Sequence, residues 1–205
     1  MLRTIIKRIL RFFFPIRIRG NNNLFSSKSK VGKNFYVDVD GNNNVIEIGQ
    51  NCLLTNTNIQ ISGGGSKVVI EDNVRLMGPT KIIMGGASTL ILKDNAGIRG
   101  VEFNLNGAKI EVGKLCMFSY GITVRNHDSH KIINPVDGTI VNPPKDIIIG
   151  DHVWIAQNAT ILKGCNIGEN SVVGFGAVVT KGCKEGSVLA GCPASIVKEN
   201  IIWDY

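Results

Sequence analysis

From Ile149 onward an aliphatic, β-branched residue falls at every sixth position: Ile149, Ile155, Ile161, Ile167, Val173 and Val179. An amphipathic helix repeats at about 3.6 residues and a half-buried strand at about 2, so neither explains the pattern. A strand alternation interrupted by evenly spaced corners does. Two positions before each later anchor stands a mostly small residue: Val153, Ala159, Cys165, Ser171 and Ala177. It is expected to point inward at the corner. Hexapeptide periodicity of this kind marks a parallel β-helix, in which each coil buries its core against the next. An antiparallel sandwich would need hairpin signals such as Asn-Gly at the corners. None falls at the corners of residues 147–180.

The first half of the chain carries a looser version in IEIGQNC, VVIEDNV, LILKDNA and IEVGKLC. Its anchors are Ile48, Ile70, Leu92 and Val112, spaced 22, 22 and 20 residues apart. That spacing fits a coil of about 18 residues, three hexapeptides, with short corner insertions such as Gly63–Gly65 and Gly85–Gly86. Asn51, Asn73 and Asn95 hold one equivalent place, where a residue tolerant of left-handed backbone fits. Val112, Phe118 and Val124 step by six again, but the pattern resumes at Ile149 rather than at residue 130. Residues ~125–147 therefore read as one long loop ejected from the solenoid, and long loops on compact scaffolds are usually functional. It holds two of the three histidines.

Composition narrows the function. Charged residues make up 19% of the 205 and hydrophobic ones 43%, which excludes a disordered chain. Of the net charge of +7, six come from Arg3, Lys7, Arg8, Arg11, Arg17 and Arg19 in residues 1–20, which hold no acid. The body is nearly neutral, so a nucleic-acid-binding surface along it is not expected. The five cysteines include no CxxC pair, which argues against a disulfide framework or a zinc site. They are read as reduced apolar fillers in a cytosolic protein. No apolar run approaches the ~20 residues of a membrane span. The N-terminus reads poorly as a secretory signal, because Arg11 interrupts its apolar stretch.

Residues 145–203 resemble the hexapeptide-repeat acyltransferases, and most of all the bacterial O-acetyltransferases of galactosides and surface polysaccharides. The likeness is carried by KDIIIGDHVWIAQNATILKGCNIGENSVVGFGAVV, by the closing AGCPA, and by NHDSHKI upstream, which is similar to the family's D-x-H loop. It implies an all-β, left-handed parallel β-helix, a homotrimer, acetyl-CoA as acyl donor in a cleft between subunits, and a loop histidine as base. The family's solenoid domain would cover residues 21–190, between a basic N-terminal segment (1–20) and a closing segment (191–205).

Acetyl transfer to a hydroxyl needs a base near neutral pKa, which suits histidine. Carried over residue by residue, the resemblance makes His130 the base, with Asp128 as its candidate orienting partner. Lys131 follows, where the family has an apolar residue. His127, Asn126, Glu102 and Asn104 are candidates for the acceptor side. His152 falls on a coil and reads as a surface residue. A metal centre of the three histidines is the rival reading; His127 and His130 on an irregular loop and His152 elsewhere do not match one. The donor wall would be Trp154, Ala156 and Gln157 from VWIAQN, then Gly174, Phe175, Gly176, Thr180 and Lys181 from GFGAVVTK. Lys181 and Lys198 would meet phosphates.

Residues 2–14 are expected to form a short amphipathic helix ended by Pro15, either capping the solenoid or lying on an anionic membrane surface. The function expected is acetyl-CoA-dependent O-acetylation of a sugar hydroxyl in surface polysaccharide assembly, in the cytoplasm or peripherally on the inner membrane face. The alternatives are an amino-sugar N-acyltransferase and a non-catalytic β-solenoid.

Overall fold

The computed structural model describes residues 15–204. The expected helix over residues 2–14 lies outside them. Among the described residues every regular element is a strand, and the chain winds as a parallel solenoid with three faces. The first face runs from Ile16–Arg19 to Val178–Val179. The second runs from Leu24–Ser27 to Asn166–Ile167, and the third from Leu53–Leu54 to Val188–Gly191.

The period of six is one step around this triangle. Ile149 lies on the second face, Ile155 on the third, Ile161 on the first, and Ile167 returns to the second. Each anchor then stacks on its equivalent in the next coil. Ile48, Ile70, Leu92, Val112, Ile149 and Ile167 are paired in unbroken register. On the first face Ile59, Ile82, Phe103, Val124, Ile161 and Val179 form the same kind of column. All but Ile48 and Phe118 of the anchors named so far are 1% exposed or less, and each such side chain contributes about 1.5–3 kcal/mol by leaving water.

The corners carry their own ladder. Asn51, Asn73, Asn95, Leu115, His152 and Asn170 stack between the second and third faces, all at positive φ of 53–62°. The amide of Asn73 donates to the carbonyl of Gln50, that of Asn95 to Asp72, that of His152 to Lys114 and that of Asn170 to Asp151, at 2.7–3.1 Å. A corner so tight leaves the left-handed conformation as the way to aim each amide at the coil below. Asparagine tolerates it best among residues with a side chain.

The coil from Val112 to Ile149 spans 37 residues, against 18 from Ile149 to Ile167, yet the two ends stay in register. The surplus leaves the solenoid after Arg125 and returns before Ile147. Its neck closes where the Lys145 amide donates to the Asn126 carbonyl at 3.0 Å. Inside it Ile133 and Ile140 form an antiparallel bridge.

Strand pairing sets the two ends of the solenoid. Ile16–Arg19 already pairs with Tyr36–Asp40, so the solenoid starts within the basic segment. At the other end Val188–Gly191 turns back to pair antiparallel with Ala194–Lys198. A reversed strand ends the parallel ladder, because it presents the wrong pattern for another coil.

Candidate active site

The strand Ile122–Arg125 aims the chain out of the first face, and the next residues carry the loop chemistry. Asn126 is fully buried. Its side-chain oxygen accepts the Asn106 amide at 2.9 Å, so it is a rung of the corner and not an acceptor contact, as the sequence had placed it. A residue at the last inward position of a strand faces the core whatever its polarity.

His127 is half-buried and both ring nitrogens are engaged. Nδ1 lies 3.0 Å from the Asp128 carbonyl and Nε2 lies 2.9 Å from the Asn104 carboxamide. Both partners are oxygens that accept, so each contact is a hydrogen bond only from a protonated ring nitrogen. Asn104 in turn neighbours Glu102, whose carboxylate accepts from Lys81 at 3.3 Å. Glu102, Asn104 and His127 thus form one polar line on the first face. It borders an open pocket of about 480 Å³ lined by Asn58, Lys81, Glu102, Tyr120 and Thr123.

His130 is exposed, and among the described residues its ring has no hydrogen-bond partner. Asp128 does not orient that ring, contrary to the sequence expectation. Its carboxylate takes Lys163 Nζ and, at 2.8 Å, Asn142 Nδ2. The same Asn142 nitrogen donates to the His130 carbonyl at 2.9 Å, and Asn142 Oδ1 accepts the Ile132 amide at 2.6 Å. Lys163 also donates to the Asn142 carbonyl at 3.0 Å. Lys163 and Asn142 hold the Asp128 carboxyl below the ordinary carboxylate range. The result is a clasp: a lysine of the next coil and an asparagine of the loop's return limb fix the main chain at His130 and leave its imidazole free. Sequence reading missed Lys163 and Asn142, since neither is near His130 in the chain.

The donor-wall candidates divide by position. Trp154, Ala156 and Gly174 stand on the third face, where Trp154 is 42% exposed. Gln157, Phe175 and Gly176 sit at the corner between the third and first faces, with Phe175 wholly on the outside. A side chain at Gly176 would meet nothing within 4 Å, so its φ of +65° is what favours glycine there. Thr180 and Lys181 follow the last first-face strand, on a different side from Lys198. Lys198 belongs to the third face, in the column Trp154, Val172, Val188, Lys198. Three strand spacings of about 4.8 Å put it about 14 Å from Trp154 along the wall. No hydrogen bond or ring contact joins His130 to Trp154 among the described residues.

His152 is not a plain surface residue. It fills a left-handed corner position, its Nδ1 lies 2.9 Å from Asn170 Oδ1, and its ring stacks on Trp203. No group of three or more metal-binding side chains is assembled among the described residues. Burial pushes the Cys116 thiol up to about 12 and the Cys165 thiol up to about 11. Both are therefore protonated at neutral pH and poor nucleophiles.

Comparison with known proteins agrees with this geometry. Residues 146–181 match the bacterial transferase hexapeptide (six repeats) family. The chain is 39% identical over 184 residues to the polysialic acid O-acetyltransferase of Neisseria meningitidis, covering 89% of this chain and 86% of that protein. It is 33% identical over 104 residues to the polysialic acid O-acetyltransferase of Escherichia coli O1:K1 / APEC, covering 51% of this chain and 34% of that protein. Among solved structures, the polysialic acid O-acetyltransferase OatWY superposes with a TM-score of 0.85 at 36% identity, over 93% of this chain and 90% of that one. The acetyltransferase NeuO, specific for the same polymer, superposes with a TM-score of 0.81 at 31% identity, over 93% and 82%. The chain belongs to the bacterial hexapeptide-repeat acyltransferases, and within them it is an O-acetyltransferase.

Proposed function

We propose that this enzyme moves an acetyl group from acetyl-CoA to a hydroxyl of a surface polysaccharide, with His130 as general base. The observation that carries this is the clasp, which fixes the backbone at His130 and leaves its ring open. His127 has both ring nitrogens engaged with protein oxygens, so neither faces an incoming hydroxyl. On this reading His130 takes the hydroxyl proton as the oxygen attacks the thioester carbon, and returns it to the departing sulfur. The tetrahedral oxyanion needs an N–H donor. The cysteines have no part, consistent with their raised thiol pKa values.

The third face suits a long, thin donor, with exposed Trp154, the small residues Ala156 and Gly174, and Lys198 farther along the wall for a phosphate. The acceptor would lie against Glu102, Asn104 and His127 and the neighbouring pocket. A sialic acid polymer is the first acceptor to try, since both relatives act on one. Amine acetylation is less favoured, because a free amine has little need of an open base.

The assembly proposed is a left-handed homotrimer. Two apolar exposures on one chain support self-association: Ile132, Ile133, Val136, Ile140 and Val141 on the loop, and Leu53, Met77 and Trp154 on the third face. A cleft between neighbours would bring one chain's His130 to another's Trp154. The location proposed is the cytoplasmic side of the membrane, with residues 1–19 touching anionic lipid through Arg3, Lys7, Arg8 and Arg11.

Thermal unfolding with and without acetyl-CoA tests the donor. At 100 times the Kd the midpoint should rise by the equivalent of about 2.7 kcal/mol. No rise with acetyl-CoA, free CoA or longer acyl-CoAs would favour the non-catalytic solenoid.

A further inference from the structure

The last residues of the described chain do not trail away from the solenoid. Ile201 donates its amide to the Gly186 carbonyl at 3.0 Å, which keeps the tail along the corner between the second and third faces. Two residues later Trp203 lies flat on His152, with ring centroids 4.2 Å apart and planes 10° apart. Its indole N–H donates to the His152 carbonyl at 2.8 Å. The His152 ring is itself fixed through Asn170, at 2.9 Å. The other side of this arrangement is Trp154, whose ring centroid lies 6.1 Å from that of Trp203 at 45°. A tilted pair at that separation is a favourable aromatic geometry.

We propose that Trp203 is a positioning residue for the donor site: the C-terminal tail, locked on His152, holds the Trp154 indole in the orientation that receives acetyl-CoA. The proposal rests on the donor wall being the third face. Four features make it more than tail packing. A stack, an indole hydrogen bond and a secured histidine all converge on one tryptophan. That tryptophan then touches the one aromatic of the proposed wall that its own strand leaves exposed. On its own face Trp154 stands in register between Met117 and Val172, and Trp203 adds the aromatic contact from the tail. His152 contributes through its ring and its main chain together, and a left-handed corner is what presents both toward the tail.

The chain has two tryptophans, so Trp203→Phe and Trp203→Ala each leave Trp154 as the sole emitter. Phenylalanine preserves a ring against His152 and Trp154 but not the hydrogen bond; alanine removes both. Acrylamide quenching of Trp154 emission without ligand is expected to be stronger in Trp203→Ala than in Trp203→Phe. In steady-state kinetics Trp203→Ala should raise KM for acetyl-CoA about three- to tenfold, the scale of one lost aromatic pair. The rise should exceed any fall in kcat, and Trp203→Phe should recover most of it. Equal quenching in the two variants would overturn the proposal. So would an unchanged KM in Trp203→Ala, even with a lowered melting midpoint, since that is what tail packing alone would give. Failure of the wild-type enzyme to bind acetyl-CoA would overturn the donor-wall reading instead, and would be seen before any variant is compared.

Discussion

At the scale of single residues, the site depends on which polar groups are tied and which are left open. Lys163, Asp128 and Asn142 are tied to one another, and His130 rides on them by its main chain. Replacing Lys163 with Met should therefore loosen the loop more than it destabilises the fold. The exposed ion pair itself is worth at most about 1 kcal/mol. Limited proteolysis within residues 131–141 should quicken and kcat should fall, while the melting midpoint shifts little; equal protease resistance would contradict the clasp. The Asp128 carboxyl titrates below its ordinary value because of Lys163 and Asn142. Its contribution is thus complete above the unfolded value of about 3.9 and is lost as pH falls further, through the folded value. Across pH 5–8 the rate profile should report a histidine and not Asp128. NHDSH points to His130 rather than His127 only through its likeness to the family's D-x-H loop. Lys163 could not be picked out at all, since its partnership exists only once two coils are set in register around a loop of unknown path. Asn126 misled for the opposite reason: a polar residue beside two histidines looks functional until strand parity turns it inward.

At the scale of the element, one corner decides much of the local stability. The left-handed column holds Asn51, Asn73, Asn95 and Asn170, but Leu115 stands in the same place at φ 56°. Leucine pays the full left-handed penalty and is 45% exposed, so Leu115→Asn should stabilise the protein by about 1 kcal/mol. For a chain of this size the melting midpoint should rise about 2–4 °C; a fall would show that the leucine side chain holds something the corner needs. The coils were legible because hydrophobic period and corner chemistry agree along most of the chain. Val112, Phe118 and Val124 even located where the loop departs. The N-terminal strand was harder to see. Ile16–Arg19 alternates isoleucine with arginine, and the arginines disguise a strand whose four residues all pair with the next coil. His152 was read as surface because its identity says nothing of a conformation that its corner imposes.

At the scale of the whole molecule, the two halves of the proposed site stand on different parts of one chain: an open histidine on the loop, and an aromatic wall on the third face. A neighbouring copy would close the cleft, and the basic N-terminal segment would bring it to the membrane. Changing Arg3, Lys7, Arg8 and Arg11 together to Glu should abolish pelleting with anionic liposomes; unchanged pelleting would assign that segment to another task. The central claim is that His130 carries acetyl from acetyl-CoA to a saccharide hydroxyl. The direct measurement is transfer of labelled acetyl from acetyl-CoA to a sialic acid polymer by the wild-type enzyme and by His130→Ala. Alkali-labile label on the polymer is expected with wild type. His130→Ala should lower kcat by about 100-fold or more while acetyl-CoA still raises its melting midpoint. Near wild-type transfer by His130→Ala would contradict the account and return the base to His127 or to the polymer itself.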